Sequence, residues 1–346
     1  MEFAHFSSLQ QLPESCDSLF ALAEKDSLFY SRPWFDNLTA TLAEDQVLLL
    51  ACVMNGNKAL AMLPLIKSTA DQVSSLKHRY TTHFSLLLAE SKNEPYQQQI
   101  ILCLIQGLSQ LRVRSLLLEP VAADDNNIRQ FKQALENNGY GCEYHFRSYN
   151  WIYRLQGQSH HDYLASRSAR LRNTISRKQR KLEREHGYDI RLFTGDEVRY
   201  GMTDYYAVYA ASWKANEQYV DFFNGMAGAL SKRGWSRLAV LYVNDKPVAA
   251  QLWFVVHGKA SIFRLAYDEA WKQYSPGTIL TNFLMNYVID IDKVKEIDFL
   301  TGNDAYKQDW MSQRRQRFAL SCVNNKKASG RLKQFISAVK HVIKRR

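Results

Sequence analysis

The stretch that decides the fold runs from Ser236 to Trp310, and it begins with SRLAVLYVNDKPVAAQLWFVV at residues 236–256. Two apolar runs are separated here by Asn244-Asp245-Lys246, so the segment predicts a β-hairpin with a tight turn. A third strand is predicted from SIFRLAY at residues 261–267. Three strands in succession make this region the start of an ordered sheet.

A helix is predicted after the third strand, beginning at SPGT, residues 275–278. Apolar side chains recur with helical spacing between residues 279 and 291. Ser275 is expected to cap this helix, and Pro276 suits its first position because the N–H of that position has no partner within the helix. Free N–H groups and the helix dipole favour an anion at this junction, although the same motif can simply begin a helix.

A last strand, KEIDFL at residues 295–300, leads into the polar segment TGNDAYKQDW at 301–310. Strands and helices alternate over the rest of the chain as well, which indicates an α/β fold with mixed sheets. The further predicted elements are strands at 84–89, 113–119 and 189–193 and helices at 96–111, 127–138, 164–186 and 196–215.

An internal repeat divides the chain. LLLACVMNGNKALAMLPL at residues 48–65 has the strand–turn–strand pattern of the later hairpin, and KALA at 58–61 aligns with KPVA at 246–249. A helical stretch with aromatic residues precedes each copy. We therefore predict two domains of similar build at 1–150 and 151–325, followed by a basic amphipathic helix at 326–346.

Composition places the chain among globular cytoplasmic proteins. A hydrophobic content of 46% excludes general disorder, and no apolar run approaches the ~18 residues that a membrane span requires. The first residues carry no basic residue ahead of an apolar run, so no signal peptide is expected. Five cysteines without a Cys-x-x-Cys pair favour reduced thiols over disulfides or zinc, and no metal is predicted.

The net charge of +11 is concentrated in two clusters. The segment from Trp310 to Arg346 carries eleven basic residues and no acid, and a second cluster lies at 167–184. Such clusters suggest nucleic acid, anionic lipid or phosphate-bearing substrates, or they are simply solvated faces. Residues 329–346 have one apolar face, which is expected either to contact an anionic membrane or to dock on its own domain.

Six motifs, taken in order, resemble the CelD/BcsL family of GNAT-type acyltransferases, which is related to the FemABX peptidyltransferases. They are RLRNTISRK (170–178), WK (213–214), KPVAA (246–250), RLAYD (264–268), SPGTIL (275–280) and YKQDW (306–310). The resemblance covers nearly the whole chain. It implies two tandem GNAT-like domains, of which the N-terminal one is degenerate and the second carries the chemistry.

The activity implied by the resemblance is acyl transfer to an amine or a hydroxyl, with a backbone N–H of the strand at 261–267 stabilising the oxyanion. The implied donor is acyl-CoA, bound through Ser275, Gly277 and Thr278. QYSPGT at 273–278 departs from the usual acetyl-CoA loop, since it has one glycine and proline offers no N–H. An acyl carrier protein and, as in the Fem branch, an aminoacyl-tRNA therefore stay open as donors.

The candidate catalytic residues are Lys307, Asp268 and Tyr306. Lys307 matches a lysine that follows the last strand in the Fem-like pattern, where its ammonium would stabilise the tetrahedral intermediate or hold an anionic substrate. The alternative is a surface ion pair with Asp304 or Asp309. Asp268 is expected to accept the proton of an attacking amine.

The candidate substrate-binding residues are Arg264, Tyr267 and Asp304. Arg264 lies in a predicted buried strand, where an arginine needs a partner. That partner is either an acidic or phosphate-bearing ligand or a structural ion pair.

The sequence thus predicts a cytoplasmic acyltransferase that acts on a sugar, a lipid or a cell-envelope precursor, and peripheral contact with the inner membrane face stays open. Two alternatives stay open: a Fem-like transferase that uses aminoacyl-tRNA, and a non-catalytic adaptor that binds nucleic acid or membrane. Nucleic acid is the less expected partner, because the basic helix lacks the long coiled-coil insertion common in the Fem branch.

Overall fold

The computed structural model describes residues 1–91, 93–214 and 217–324, which divide into two units. One unit contains Met1–Ser148 and the described residues from Gln316 onward, and the other contains Tyr149–Arg315. The second unit therefore ends earlier than the predicted domain boundary at 325. The predicted helix at 326–346 and Ala215, the predicted end of another helix, lie outside the described residues.

The strands of the described residues alternate with the helices along the chain. They are β1 (Glu2–Phe6), β2 (Val47–Asn55), β3 (Lys58–Lys67), β4 (Gln72–Ser75), β5 (Leu87–Leu88), β6 (Ser115–Val121), β7 (Tyr140–Arg154), β8 (Asp189–Thr194), β9 (Ser236–Val243), β10 (Lys246–Val256), β11 (Lys259–Tyr267), β12 (Glu296–Thr301) and β13 (Gln313–Asn324).

The α-helices are α1 (Cys16–Ala23), α2 (Arg32–Ala40), α3 (Glu94–Gln110), α4 (Asn126–Asn137), α5 (His160–Ala165), α6 (Ala169–Glu185), α7 (Val198–Ala210), α8 (Val220–Lys232), α9 (Pro276–Asn286) and α10 (Ala305–Trp310). A π-helical turn, Tyr287–Ile291, extends α9.

The first unit is built on a mixed sheet in the order β1-β2-β3-β4-β6-β13. The predicted hairpin is present as β2 and β3, and β4 runs parallel to β6 over three residues, from Gln72 to Ser74. Helices α3 and α4 supply leucine, isoleucine and phenylalanine side chains to the core of this unit. The predicted second domain, 151–325, included β13. In the structure β13 pairs with β6 of the first unit.

A segment of the chain itself fills the space next to the β4–β6 pair. Phe84 is 2% exposed, and its N–H donates to the carbonyl of Pro120 at 2.7 Å. The N–H of Glu119 donates to Oγ of Ser75 at 2.8 Å. The predicted strand at 84–89 is reduced to β5, which pairs with β3 over only two residues.

The second unit is built on a mixed sheet in the order β7-β12-β11-β10-β9-β8. The predicted hairpin is present as β9 and β10, and Asn244 and Asp245 both have positive φ, as a two-residue type I′ turn requires. Helices α6 and α9 pack on one face around Trp253, Leu284 and Phe299. Helix α7 packs on β9 and β10 and carries Tyr205 against Phe223 of α8.

The predicted basic helix at 164–186 is two helices, α5 and α6, separated at residues 166–168. Oγ of Ser168 accepts the N–H of Leu171 and caps α6, so a new helix begins there. The guanidinium of Arg172 donates to the carbonyl of Ala165 at 2.8 Å and ties the end of α5 to the start of α6.

Candidate active site

Strands β11 and β12 separate after a short parallel pairing. They are paired from Lys259 to Ser261 on β11, opposite residues 296–298 of β12. Phe263 is an extra residue in the β10–β11 register, which is a β-bulge and bends its strand. On β12, Leu300 has a φ of 52° and the pairing with β7 shifts register. Both irregularities lie beyond the last pair, so backbone groups of β11 are left open to a ligand.

The start of α9 borders this opening. Ser275 precedes the helix in the left-handed region, with φ 53° and ψ 51°, which costs a residue with a side chain about 1–2 kcal/mol. Its hydroxyl makes no capping hydrogen bond, so the prediction that Ser275 caps the helix is wrong; capping residues typically have β-region dihedral angles, which Ser275 lacks. Pro276 does occupy the first helical position, as predicted.

Few N–H groups remain free at this helix start. Pro276 has none, and the N–H groups of Thr278 and Ile279 donate to the carbonyl of Ser275 at 3.0 and 3.2 Å. Gly277 is left as the one N–H of the first turn without an acceptor among the described residues. The helix start can therefore donate one backbone hydrogen bond to an anion and not several.

A buried amide network holds α9 against β10. Gln251 is fully buried, and its Nε2 donates to the carbonyl of Gly277 at 2.9 Å and to Oγ1 of Thr281 at 2.8 Å. Nε1 of Trp253 donates to Oε1 of Gln251 at 2.9 Å. Sequence reasoning missed Gln251, because a polar residue inside an apolar strand gives no sign of its partner.

A cavity of about 560 Å³ lies between these elements. Its lining is Arg170, Leu171, Thr174, Trp213, Leu265, Tyr267, Lys272, Ser275, Gly277, Thr278, Thr281, Tyr306, Asp309 and Trp310. Six of these residues are apolar or aromatic and most of the lining surface is apolar, while the charged residues are two cations and one carboxylate. The cavity therefore fits an apolar group that is attached to a polar one.

Five predicted site residues line this cavity: Ser275, Gly277, Thr278, Tyr267 and Tyr306. All three of the predicted donor-binding residues are among them. The structure thus brings together the strand end at 267, the helix start at 275 and the segment after β12.

Four predicted site residues do not line the cavity. Arg264 forms an ion pair with Glu217, which favours the structural alternative stated for it. The carboxylate of Asp268 accepts the N–H of Ala270 at 2.9 Å and caps a 3-10 turn. Asp304 is exposed and lies 3.6 Å from the ammonium of Lys307.

Lys307, the fourth, is buried. It belongs to the segment predicted as polar and is not a surface residue, since it lies in α10 and is 4% exposed. Its Nζ donates to the carbonyls of Phe299 at 2.9 Å and Thr301 at 2.7 Å, at the end of β12. Burial lowers the pKa of Lys307, opposed by the charges of Asp304 and Asp298. Gly302 has a φ of +127°, and a Cβ there would lie 2.9 Å from Nζ.

Lys214 contacts β11 in the same way as Lys307 contacts β12. Its Nζ donates to the carbonyl of Leu265 on β11. Burial and the charge of Arg264 lower the pKa of Lys214 to about 8. The two strands that separate thus each have carbonyl groups satisfied by a lysine ammonium. Sequence reasoning missed Lys214 as a partner of β11 because the contact joins residues far apart in sequence.

Tyr306 and Asp309 lie three residues apart in α10, which places them on one helix face, and both line the cavity. Tyr306 is half exposed as a residue, yet burial of its phenol and the charge of Asp304 raise the pKa of Tyr306 to about 12. The phenol is therefore protonated at neutral pH. A proton donor and a carboxylate stand side by side at the cavity.

A second concave surface joins the cavity at α6. This groove has a volume of about 680 Å³ and shares Arg170 and Thr174 with the cavity. We call it the α6 groove; it is lined by Arg170, Asn173, Thr174, Ser176, Arg177, Arg180, Lys181 and Arg184.

Two kinds of site are missing from the described part of the chain. No group of three or more His, Cys, Asp or Glu side chains there is arranged to hold a metal ion. No helix within residues 1–91, 93–214 and 217–324 has the length and apolar character to span a membrane.

Comparisons with known proteins agree with this geometry. Residues 169–308 match the family model described as an acetyltransferase (GNAT) domain. Among solved structures, FemX covers 97% of this chain and 100% of its own, with a TM-score of 0.65 and 11% identity. No curated protein sequence matches the chain significantly.

Two further structures share the fold at low identity. A tandem GNAT protein from the clavulanic acid biosynthesis pathway covers 95% of this chain and 99% of its own, with a TM-score of 0.51 and 12% identity. The C-terminal domain of a putative lysylphosphatidylglycerol synthetase from Agrobacterium fabrum covers 81% and 84%, with a TM-score of 0.51 and 11% identity.

These likenesses identify the fold. The chain has the mixed α/β fold of tandem GNAT proteins. The stretch that matches the acetyltransferase (GNAT) domain model, residues 169–308, contains most of the second unit and every residue that lines the cavity except Asp309 and Trp310.

Proposed function

We propose that this chain is a GNAT-type acyltransferase that moves an acyl group from a thioester donor, acyl-CoA or an acyl carrier protein, to an amine or hydroxyl of a sugar, lipid or cell-envelope precursor. The observation that carries the proposal is the apolar cavity where β11 and β12 separate, bordered by Gly277 of α9 and Tyr306 of α10. Its aromatic lining suits an acyl chain, and Lys272 and Arg170 suit the anionic part of a substrate.

The reaction follows from the groups at the cavity. The nucleophile attacks the thioester carbonyl, and a C–N or C–O bond forms while the charge on oxygen is stabilised by a backbone N–H of β11. The C–S bond then breaks, and the departing thiolate takes a proton from the phenol of Tyr306. Asp309, on the same face of α10, receives the proton that the nucleophile loses.

An aminoacyl ester is the second candidate donor, and Asp309 is the observation that favours it. Its carboxylate lines the cavity, and no cation in the described part of the chain forms an ion pair with it. Such a carboxylate would pair with the ammonium of an aminoacyl group. Native mass spectrometry of the purified chain with acyl-CoAs, an acylated carrier protein and charged tRNA distinguishes these donors.

We place the reaction in the cytoplasm, with peripheral contact at the inner membrane face, where lipid-linked precursors are presented. The support for a reducing compartment is that all five cysteines are free thiols.

The proposal is tested by Tyr306→Phe, which removes the proton donor and keeps the ring. With the donor that mass spectrometry identifies, we expect turnover to fall by about 100-fold while the donor Kd stays the same, the scale of one general acid. Arg199→Gln, an exposed site on α7, is the control. Equal turnover of Tyr306→Phe and the parent chain would remove Tyr306 from the reaction.

A further inference from the structure

The basic residues of α6 fall into two groups by what they contact. Some serve the fold itself: Arg167, just before α6, stacks on Tyr153 with its guanidinium carbon 4.7 Å from the ring centroid, and Lys178 donates to the carbonyl of Gln273. Lys181 and Arg184 lie near the carboxylate of Glu185. These cations already have a ring, a carbonyl or a carboxylate of the same chain as a partner.

Arg170, Arg177 and Arg180 form the other group. All three are exposed and line the α6 groove. No carboxylate among the described residues lies within ion-pair distance of any of them. The guanidinium of Arg180 donates to the hydroxyl of Ser176, which carries no charge. Three guanidinium charges without a carboxylate partner therefore line one concave surface and repel one another, and an anionic ligand would relieve that repulsion.

The spacing of these arginines limits the ligand. Arg177 and Arg180 are one helical turn apart, so their side chains are neighbours on the surface and can bind adjacent phosphates in a bidentate manner. Arg170 lies seven residues before Arg177, which is about 10 Å along the helix axis. It stands where the groove joins the cavity.

Uncharged polar side chains lie between Arg170 and Arg177 along α6. Asn173, Thr174 and Ser176 line this part of the groove. They offer amide and hydroxyl groups, which both donate and accept hydrogen bonds and therefore match the hydroxyls of a sugar. From one end to the other, the groove presents phosphate-binding groups, hydroxyl-binding groups and then the reacting cavity.

We propose that the α6 groove binds a glycosyl diphosphate, with the diphosphate at Arg177 and Arg180 and the sugar directed past Asn173 and Thr174 into the cavity. This inference rests on the proposed function, in which the sugar is the acceptor of the acyl group. A nucleotide-linked and a lipid-linked sugar share this diphosphate, and either can supply it.

Other anionic partners fit the groove less well. No apolar or aromatic residue lines the groove, whereas the buried centre of an interface with a folded protein such as a carrier protein is enriched in aromatic residues and depleted of charge. A flat membrane does not enter a concave surface. A polynucleotide would need no uncharged segment between two groups of cations, because its phosphates follow one another without interruption.

Binding is tested by calorimetry with the whole chain and two probes, UDP-N-acetylglucosamine and a farnesyl diphosphate-linked N-acetylglucosamine in detergent. We expect at least one probe to bind, and the double variant Arg177→Gln/Arg180→Gln to weaken its binding by at least about 100-fold, the loss of two charge-assisted contacts. The matched control Arg199→Gln is expected to change Kd less than about 2-fold, as for a site without ligand contact. The probe that binds identifies the source of the diphosphate.

A second variant tests the sugar contact separately. Asn173→Ala is expected to reduce the preference for the glycosyl diphosphate over inorganic pyrophosphate by about 5-fold, the loss of one neutral hydrogen bond. A control with N-acetylglucosamine alone is expected to show no measurable binding, because the sugar contacts by themselves are weak.

The proposal is overturned if neither glycosyl diphosphate binds, or if the double arginine variant binds them as the parent chain does. It is equally overturned if an RNA oligonucleotide or free CoA, and not the glycosyl diphosphates, depends on Arg177 and Arg180. Glycosyl diphosphate binding without any acyl transfer would leave the groove assigned and would contradict the proposed function instead.

Discussion

At the scale of one residue, Lys307 belongs to a predicted site motif but stabilises the structure around the site. Its ammonium satisfies two carbonyls at the end of β12 and thereby fixes α10, which carries Tyr306 and Asp309. We expect Lys307→Met to lower the free energy of unfolding by about 1–3 kcal/mol, because those buried acceptors lose their donor. Urea denaturation measures this change.

Lys232→Met is the matched control, since Lys232 is an exposed lysine at the end of α8. It is expected to change the free energy of unfolding by less than about 0.5 kcal/mol, as surface substitutions do. If Lys307→Met and the control have the same free energy of unfolding, Lys307 does not stabilise the fold, and its role is in binding or catalysis alone.

Lys214 predicts a dependence of stability on pH. Its pKa is about 8 in the folded chain, below that of an unfolded lysine, so the unfolded state binds the additional proton between these two values. The cost of the buried ammonium is present in full below pH 8 and disappears as the pH rises toward about 10.4. Stability contributed by Lys214 therefore rises with pH across this window.

The measurement is the melting temperature of the parent chain and of Lys214→Met from pH 7 to pH 10. Other groups titrate in the same range, so the prediction concerns the difference between the two proteins. We expect the parent chain to gain stability relative to Lys214→Met as the pH rises. A constant difference across the range would show that Lys214 has an ordinary pKa.

At the scale of elements, the start of α9 controls access to the cavity. A Cβ at Gly277 would lie 3.3 Å from Cδ1 of Tyr267 and 3.5 Å from Cδ1 of Leu265, both on the cavity wall. A larger side chain must extend into the cavity from there. We expect Gly277→Val to weaken donor binding at least about 10-fold by steric exclusion, a change of about 1.4 kcal/mol.

Gly228→Val provides the control, because Gly228 is also helical and a Cβ there meets no atom within 4 Å. Its donor Kd is expected to equal that of the parent chain. Calorimetry that gives unchanged donor affinity for a folded Gly277→Val variant would place the donor elsewhere.

The elements that sequence reasoning predicted well carry their signal locally. The two hairpins have alternating apolar runs around short polar turns, and α9 has a proline at its first position and a helical apolar period. Helix α10 was missed because its sequence, AYKQDW, has no apolar stripe. The break between α5 and α6 was missed because residues 166–168 contain neither glycine nor proline.

At the scale of the whole molecule, the two units differ in whether the chain fills the space beside the parallel strands. In the first unit Phe84 and its neighbours occupy that space, whereas in the second unit a cavity lies beyond the β11–β12 pair. We therefore expect one donor molecule to bind per chain. Calorimetric stoichiometry measures this, and two equivalent donors per chain would contradict the assignment of the first unit as degenerate.

The site was predictable only where its residues follow one another in sequence. Ser275, Gly277 and Thr278 share one motif, and all three line the cavity. Trp213, Leu265 and Asp309 belong to the separate motifs WK, RLAYD and YKQDW, and nothing in those motifs indicates that the three residues meet at one cavity. Arg264 and Lys307 carry charge that suggested chemistry, but their partners, Glu217 and the carbonyls of β12, are brought close only by the fold.

The most direct test of the central claim is a crystal structure of the chain with a non-hydrolysable analogue of the donor identified by native mass spectrometry. The account predicts the acyl group in the cavity against Leu265 and Tyr267, with its carbonyl oxygen within hydrogen-bond distance of a backbone N–H of β11 and its leaving atom near the phenol of Tyr306. A donor bound anywhere else on the chain would contradict it.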